Sequence, residues 1–158
     1  MKSQIILCSG GARSGKSEFA ERLALSTEGR KAYVATGQAF DEEMVDRIKK
    51  HQERRGAIWT NFEVPLYLAK EWQNISQSAD VILIDCLTMF TTNHMMAHGS
   101  IQGQQDANDL EEAVLSELES LLSLIASSDG KTVIFVTNEI GLGIVPDNKL
   151  ARYFRDIA

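Results

Sequence analysis

The 158-residue sequence contains only two cysteines and two prolines. Cys8 and Cys86 lie in or beside apolar segments. Two thiols in such surroundings make no disulfide framework, which favours a reducing, cytosolic compartment. Pro65 and Pro146 stand alone, without a Ser/Gly-rich linker or an internal repeat, so residues 1–158 read as a single domain. No apolar run approaches the ~18–20 residues of a membrane span, and Ile5-Ile6-Leu7 meets Gly10-Gly11 too soon for a signal-peptide core. Positive charge is also scarce. Lys and Arg number 16 against 22 Asp and Glu, for a net charge of −6, so the basic face that a nucleic-acid partner requires is missing. Aromatic residues are few, but 44% of the chain is apolar, too much for disorder and enough for a core.

What is present is an alternation of short apolar runs with helical patterns. Gln4–Cys8 reads as a buried strand ending at glycines. In Ser17–Leu25, Phe19, Ala20, Leu23 and Ala24 recur at helical spacing. Lys31–Thr36 is a second strand, and Asp41–Arg55 a charged amphipathic helix with Met44, Ile48 and His51 on one face. Asp80–Asp85 and Lys131–Thr137 carry the unbroken apolar runs of strands buried on both faces. Between them Leu110, Ala113, Val114, Leu118, Leu121, Leu122 and Ile125 form a helical stripe, with Asn108 and Asp109 as cap candidates. Strands alternating with helices predict an α/β fold with a mainly parallel sheet covered on both faces. The Asp80–Asp85 and Lys131–Thr137 strands are expected beside or near Gln4–Cys8.

One motif carries explicit chemistry. Gly10-Gly11-Ala12-Arg13-Ser14-Gly15-Lys16-Ser17 matches G-x-x-x-x-G-K-[ST] in full, after a strand and before a helix. The glycines let the backbone turn its N–H groups toward phosphate oxygens, and the helix N-terminus adds partial positive charge. Lys16 would reach the β- and γ-phosphates and the Ser17 hydroxyl would ligate Mg²⁺. Asp85, closing an apolar strand, stands where P-loop proteins place their Mg²⁺ carboxylate, although an Asp there also serves as a cap or turn residue. Ligands of parallel sheets gather at the carboxyl ends of strands, which collects Thr36, Gly37, Asp85, Thr88, Thr137, Asn138 and Glu139 around one crevice.

Other residues are ambiguous by themselves. His51 shares a face with Met44 and Ile48, which suits a core histidine. It also has Arg47 at i−4 and Arg54 at i+3, which suits a nucleophile that attacks the α-phosphorus of a nucleotide and forms a phosphoramidate. His94 and His98 have metal-ligand spacing, but no carboxylate or cysteine accompanies them at a recognisable offset. Glu63 suits an exposed strand position, and equally a carboxylate that accepts from the N1–H and N2–H₂ of guanine.

Taken together the motifs resemble those of the bifunctional adenosylcobinamide kinase / adenosylcobinamide-phosphate guanylyltransferase family of cobalamin biosynthesis. The resemblance runs from Ile5 to Ala158. It is carried by residues 10–17, Tyr33-Val34-Ala35-Thr36-Gly37, Asp41-Glu42-Glu43-Met44 with Arg47-Ile48-x-x-His51, Trp59, and Glu63-x-Pro65-Leu66. Asp85-Cys86-Leu87-Thr88 with Asn93 follows, then Thr137-Asn138-Glu139-x-Gly141-x-Gly143-Ile144-Val145-Pro146, Leu150-Ala151-Arg152 and Phe154-Arg155-Asp156. The P-loop is generic. The Arg-Ile-x-x-His and Asn-Glu-x-Gly-x-Gly-Ile-Val-Pro segments are specific.

The resemblance implies a RecA-like P-loop fold, a homotrimer, and two reactions at one nucleotide site. In the first, ATP or GTP phosphorylates the aminopropanol hydroxyl of adenosylcobinamide. In the second, GTP guanylylates a histidine, which passes GMP to adenosylcobinamide phosphate. By the same matching His51 is the catalytic nucleophile. Gly10, Gly11, Ala12, Arg13, Ser14, Gly15, Lys16, Ser17, Ala35, Thr36, Gly37, Gln52, Glu53, Arg54, Arg55, Glu63 and Asp85 fall where the family contacts nucleotide, with Ser17 and Asp85 on Mg²⁺. Phe90 replaces the family's usual Trp and Gly56 a frequent Pro. Family members continue past the position of Ala158 through the rest of a helix and a final strand, so an empty sheet position and a bare apolar face are expected. Two other readings fit the P-loop: a small-molecule kinase without histidine chemistry, and a nucleotide-binding form without activity.

Overall fold

The structure, a computed structural model, describes residues 1–158. Five strands form one sheet: β1 (Gln4–Gly10), β2 (Lys31–Ala35), β3 (Trp59–Glu63), β4 (Val81–Asp85) and β5 (Thr132–Asn138). The spatial order is β1-β5-β4-β2-β3, and every pair is parallel. The helices are α1 (Lys16–Ser26), α2 (Glu42–Arg55), α3 (Leu68–Ser78), α4 (Leu87–His98), α5 (Gln104–Ser127) and α6 (Lys149–Ile157). This is the α/β arrangement expected, with β5 next to β1 and β4 one place further.

Side chains alternate between the faces of a strand, so the unbroken apolar runs of β4 and β5 need cover on both sides. Val81, Leu83, Ile134 and Val136 face α1 and pack with Ala20, Ala24, Tyr33 and Trp59. Ile82, Ile84, Val133 and Phe135 face the other way, against Leu68, Trp72 and Ile75 of α3, Phe90 of α4, and Leu110, Val114, Leu121 and Ile125 of α5. Polar bonds tie this second layer together. Trp72 Nε1 donates to Ser128 Oγ at 3.0 Å, and the Ala69 amide donates to Glu117 Oε1 at 2.9 Å.

The structure departs from the sequence reading in four places. Gln4–Cys8 is not a buried strand. β1 lies at the sheet edge, and Ile5 and Leu7 are 46% and 60% exposed, because α1 covers only the opposite face. Asn108 and Asp109 are not caps. α5 begins at Gln104, and the two residues accept instead from the side chains of Gln104 and Gln105 one turn earlier. Ala113 and Leu122, read as part of the buried stripe, are exposed, since the stripe narrows to Ala107, Leu110, Val114, Leu121 and Ile125. Finally, α2 is helical as expected but buries no residue. Met44 and Ile48 are half-buried and His51 is exposed. The sequence reading also assigned no element to residues 66–78, where α3 lies. Leu68, Trp72 and Ile75 recur there at helical spacing, a signal that the polar residues between them obscure.

The amino ends of β2, β4 and β5 are stapled by one carboxylate. Asp80 accepts from the Arg30 amide and Nε on Oδ2, both at 3.0 Å, and from Arg30 Nη2 on Oδ1 at 3.1 Å. Lys131 Nζ reaches the same Oδ1 at 3.3 Å while donating to the Ser76 and Ala79 carbonyls. Gly29, at φ 115°, passes so close that a Cβ would lie 2.8 Å from Asp80 Cβ. The bonds from Arg30 hold the Asp80 carboxyl well below the ordinary carboxylate range. A depressed carboxyl pKa stabilises the fold above the unfolded value of about 4, and that contribution is lost as pH falls. Asp80→Asn should therefore lower the urea midpoint at neutral pH. The gap to the parent should close as pH drops below about 4, and a gap that stays constant with pH would refute this. In the core, Leu110→Ala should cost about 2–5 kcal/mol by urea denaturation, whereas Leu115→Ala on the exposed face of the same helix should change stability by about 0.5 kcal/mol or less.

Candidate nucleotide site

The loop between β1 and α1 is built to curl. Arg13 has φ 56° and Gly15, the residue before α1, has φ 82°. Glycine takes that left-handed conformation without the Cβ penalty. The Ser14 amide donates to the Gly11 carbonyl at 3.3 Å, closing a turn. A Cβ on Gly10 would lie 2.7 Å from Ser14 Oγ. The loop is moored to its neighbour strand by the Glu139 amide, which donates to the Gly10 carbonyl at 2.9 Å. No side chain caps the first turn of α1, so its amides remain available to an anion. Lys16 Nζ lies over the loop and donates to the Gly11 carbonyl at 3.1 Å. Ser17 is in the first turn of α1 and half-exposed.

Asp85 ends β4 at the same edge of the sheet, with β5 between it and β1. Its Oδ2 accepts from Tyr33 Oη at 2.7 Å. Burial first, and then the Asp85 charge, pushes the Tyr33 phenol above its ordinary value, so it acts as a donor. The backbone beyond Asp85 is clamped by Thr36, whose hydroxyl donates to the Cys86 carbonyl at 2.6 Å and accepts from the Cys86 amide at 2.8 Å. Thr36 is fully buried. The structure thus gives it the task of holding the corner, and leaves Ala35, half-buried, and Gly37 nearer the surface. Asn93 Nδ2 completes the corner by donating to the Thr36 and Pro65 carbonyls at 2.7 and 2.9 Å. His94, next in sequence, packs edge-on against Phe90 at 4.5 Å, and burial pushes its pKa down.

Helix α2 presents two distinct faces. Arg47, Lys50, His51 and Arg54 line a wholly polar cavity of about 350 Å³ together with Glu43 and Asp46. The expected flanking of His51 by Arg47 and Arg54 is therefore present in space. No P-loop residue lines that cavity. The step of about 100° from His51 to Gln52 turns Gln52 toward a second cavity of about 540 Å³, shared with Gly37, Phe40, Lys49, Glu63 and Pro65. There Gln52 Nε2 donates to Glu63 Oε1 at 3.2 Å. Glu53 is exposed, and Arg54 Nη2 lies 3.5 Å from Glu21 of α1. Arg55 donates to Asn61 Oδ1 and stacks over the Tyr33 ring, its Cζ 3.5 Å from the centroid. The structure thus gathers the P-loop and Asp85 at one sheet edge, puts Gln52 and Glu63 together beside it, and places His51 in a cavity that none of these residues lines. The sequence reading gave no role to Tyr33, Phe40 or Asn61.

Residues 6–158 match the family model described as cobinamide kinase / cobinamide phosphate guanyltransferase. The chain belongs to this family. It is 37% identical over 163 residues to the bifunctional adenosylcobalamin biosynthesis protein CobU of Escherichia coli, and 40% identical over 156 residues to that of Salmonella typhimurium, in each case across 98% of this chain and 85% of the relative. To the corresponding CobP of Pseudomonas aeruginosa it is 40% identical across 94% of this chain and 79% of that one. Among solved structures, an ATPase of a bacterial type III secretion system superposes with a TM-score of 0.61 at 14% identity; the match takes in 98% of this chain and about half (49%) of that one. The type III ATPase EscN superposes at 0.56 and 15% identity, over 86% of this chain and 38% of the other. At that identity the likeness shows the fold alone, that of an α/β P-loop NTPase.

Replacing Lys16 by Ala removes the ammonium from the phosphate cradle and touches no core residue. Lys16→Ala should abolish binding of a fluorescent GTP analogue and leave the thermal melting temperature within a few degrees of the parent. Undiminished binding would show that the loop is not the working site.

Proposed function

We propose that this chain is a bifunctional enzyme. It phosphorylates the aminopropanol hydroxyl of adenosylcobinamide with ATP or GTP, then guanylylates the product from GTP through His51. The observation that carries the reading is the moored P-loop of residues 10–17 within a chain whose family membership extends over residues 6–158.

In the first reaction the amides of the loop and the Lys16 ammonium hold the β- and γ-phosphates. The substrate hydroxyl oxygen bonds to the γ-phosphorus as the bond to the β-bridging oxygen breaks. Ser17 and Asp85 supply oxygen donors of the kind a hard cation takes and would hold Mg²⁺ together with the nucleotide. When bound, Mg²⁺ neutralises charge on the transferring phosphoryl group. In the second reaction an imidazole nitrogen of His51 bonds to the α-phosphorus of GTP and pyrophosphate leaves. The phosphate oxygen of adenosylcobinamide phosphate then displaces the imidazole. Arg47, Lys50 and Arg54, which line the His51 cavity, compensate phosphate charge. Glu63, held by Gln52, suits the paired N–H donors of guanine.

On this reading α2 carries His51 toward the α-phosphate, which a helix without a fully buried residue resists little. Assembly as a homotrimer belongs to the same reading.

The experiment uses GTP labelled on the α- or γ-phosphorus. The parent protein should retain α-label but no γ-label, in an acid-labile, alkali-stable bond. His51→Asn should reduce guanylyl transfer to background while phosphorylation of adenosylcobinamide persists. An α-label retained by His51→Asn would assign the nucleophile elsewhere. A parent that phosphorylates but takes no α-label would favour a kinase alone, a reading that the absence of P-loop residues from the His51 cavity supports.

A further inference from the structure

Tyr33 lies two residues before Ala35 in β2, and Ala35 stands opposite Asp85 in the register of β2 on β4. Residues two apart on a strand share a face, and a long aromatic side chain spans the diagonal to the neighbouring strand. Tyr33 therefore reaches Asp85 from within the sheet. The residue is 8% exposed and its ring is held on two sides. Trp59 meets it edge-on at 5.9 Å, and Arg55 lies over its face at 3.5 Å. Arg55 is itself pinned by Asn61 Oδ1 at 3.2–3.3 Å. A ring clamped in this way leaves its hydroxyl one position, 2.7 Å from Asp85 Oδ2. A carboxylate offers two oxygens. The phenol occupies one, and no protein donor reaches Oδ1.

We propose that Tyr33 is a positioning residue, whose hydroxyl orients Asp85 so that Oδ1 is presented to the metal–nucleotide complex at the P-loop. The proposal rests on the reading of Asp85 as the Mg²⁺ carboxylate. The Arg55 stack clamps this hydroxyl from the last turn of α2, the helix that carries His51. The metal carboxylate and the helix bearing the nucleophile thus meet on one ring.

The test reads metal binding directly. A fluorescent, non-hydrolysable GTP analogue is bound to the full chain with and without MgCl₂, and Mn²⁺ bound in its presence is counted by electron paramagnetic resonance. Partners in the outer shell of a metal ligand typically govern affinity by about tenfold or more. Tyr33→Phe should therefore raise the metal concentration for half-saturation about tenfold, with metal-free analogue binding and melting temperature unchanged. Asp85→Asn should remove the metal dependence altogether.

A Tyr33→Phe protein with the parent's metal affinity, while Asp85→Asn has lost it, overturns the role of Tyr33 and spares that of Asp85. If Asp85→Asn behaves as the parent, or the parent shows no metal dependence, the reading of Asp85 fails and the proposal with it. Equal losses with and without metal would show a structural role and likewise overturn the proposal. If Tyr33→Phe melts well below the parent, Asn61→Ala, which frees Arg55 at the exposed rim of the clamp, should raise the metal requirement in the same direction. No rise in that variant overturns the proposal.

Discussion

Everything at the site hangs from the position of β5. A parallel strand wedged between β1 and β4 fixes the spacing of the P-loop and Asp85, because both follow strands registered against the same neighbour. β5 enforces this with main-chain bonds beyond the ladder. The Glu139 amide holds the Gly10 carbonyl, and the Asn138 amide donates to Thr88 Oγ1 at 2.8 Å, tying the start of α4 to the same strand end. The sheet can hold this spacing because Ile134, Val133, Phe135 and Val136 are buried on its two faces. Slippage by one residue would exchange those faces. The carboxyl edge of the sheet is thereby a rigid frame, and its rigidity is a consequence of core packing.

Helix α2 obeys a different rule. Its sequence is dominated by charge, its cap is a side-chain bond from the Met44 amide to Asp41 Oδ1 at 2.7 Å, and none of its residues is fully buried, Met44 and Ile48 being half-buried. What fastens it is polar and near its end: Gln52 to Glu63, Arg54 to Glu21, Arg55 to Asn61 and Tyr33. Exposed polar contacts of this kind are individually weak. The protein therefore combines a packed sheet edge with a lightly tethered helix, and under the proposed function the first would hold phosphates and the second would bring the nucleophile to them.

How much of this could be read from the residues follows the same division. The unbroken Val81-Ile82-Leu83-Ile84 and Val133-Ile134-Phe135-Val136 runs state their own burial. The glycine spacing of residues 10–17, between an apolar run and a helical pattern, states a tightly curled loop at a helix N-terminus. β1 misled because Ile5 and Leu7 look the same whether a strand is central or at the edge. That distinction is settled by topology, which no local pattern encodes. Asn108 and Asp109 misled because cap-forming residues also accept i,i+4 bonds inside a helix. Tyr33 was quoted only as part of a motif, for the bond from its hydroxyl to Asp85 joins residues 52 positions apart. The pattern around Thr36 points to the crevice but not to its second task, since a buried hydroxyl beside a chain corner is drawn to the backbone groups that the corner leaves unpaired.

Under the proposed function, the two cavities beside α2 bear on how a single nucleotide site would serve two reactions. Phosphoryl transfer from a triphosphate needs only the frame: loop amides, Lys16, and oxygen donors from Ser17 and Asp85. Nothing in that chemistry distinguishes guanine from adenine. Guanylyl transfer adds a requirement at the other end of the nucleotide, where the base must be one particular base. Gln52 and Glu63 meet beside Gly37, at the end of β2, so a base seated there would engage α2 directly. Since His51 adjoins Gln52 in sequence, base recognition and nucleophile placement then act on the same turn of one helix. Under the proposed function the base and the histidine would then act through one turn of α2, and the guanylyl-transfer step would be the one that calls on both.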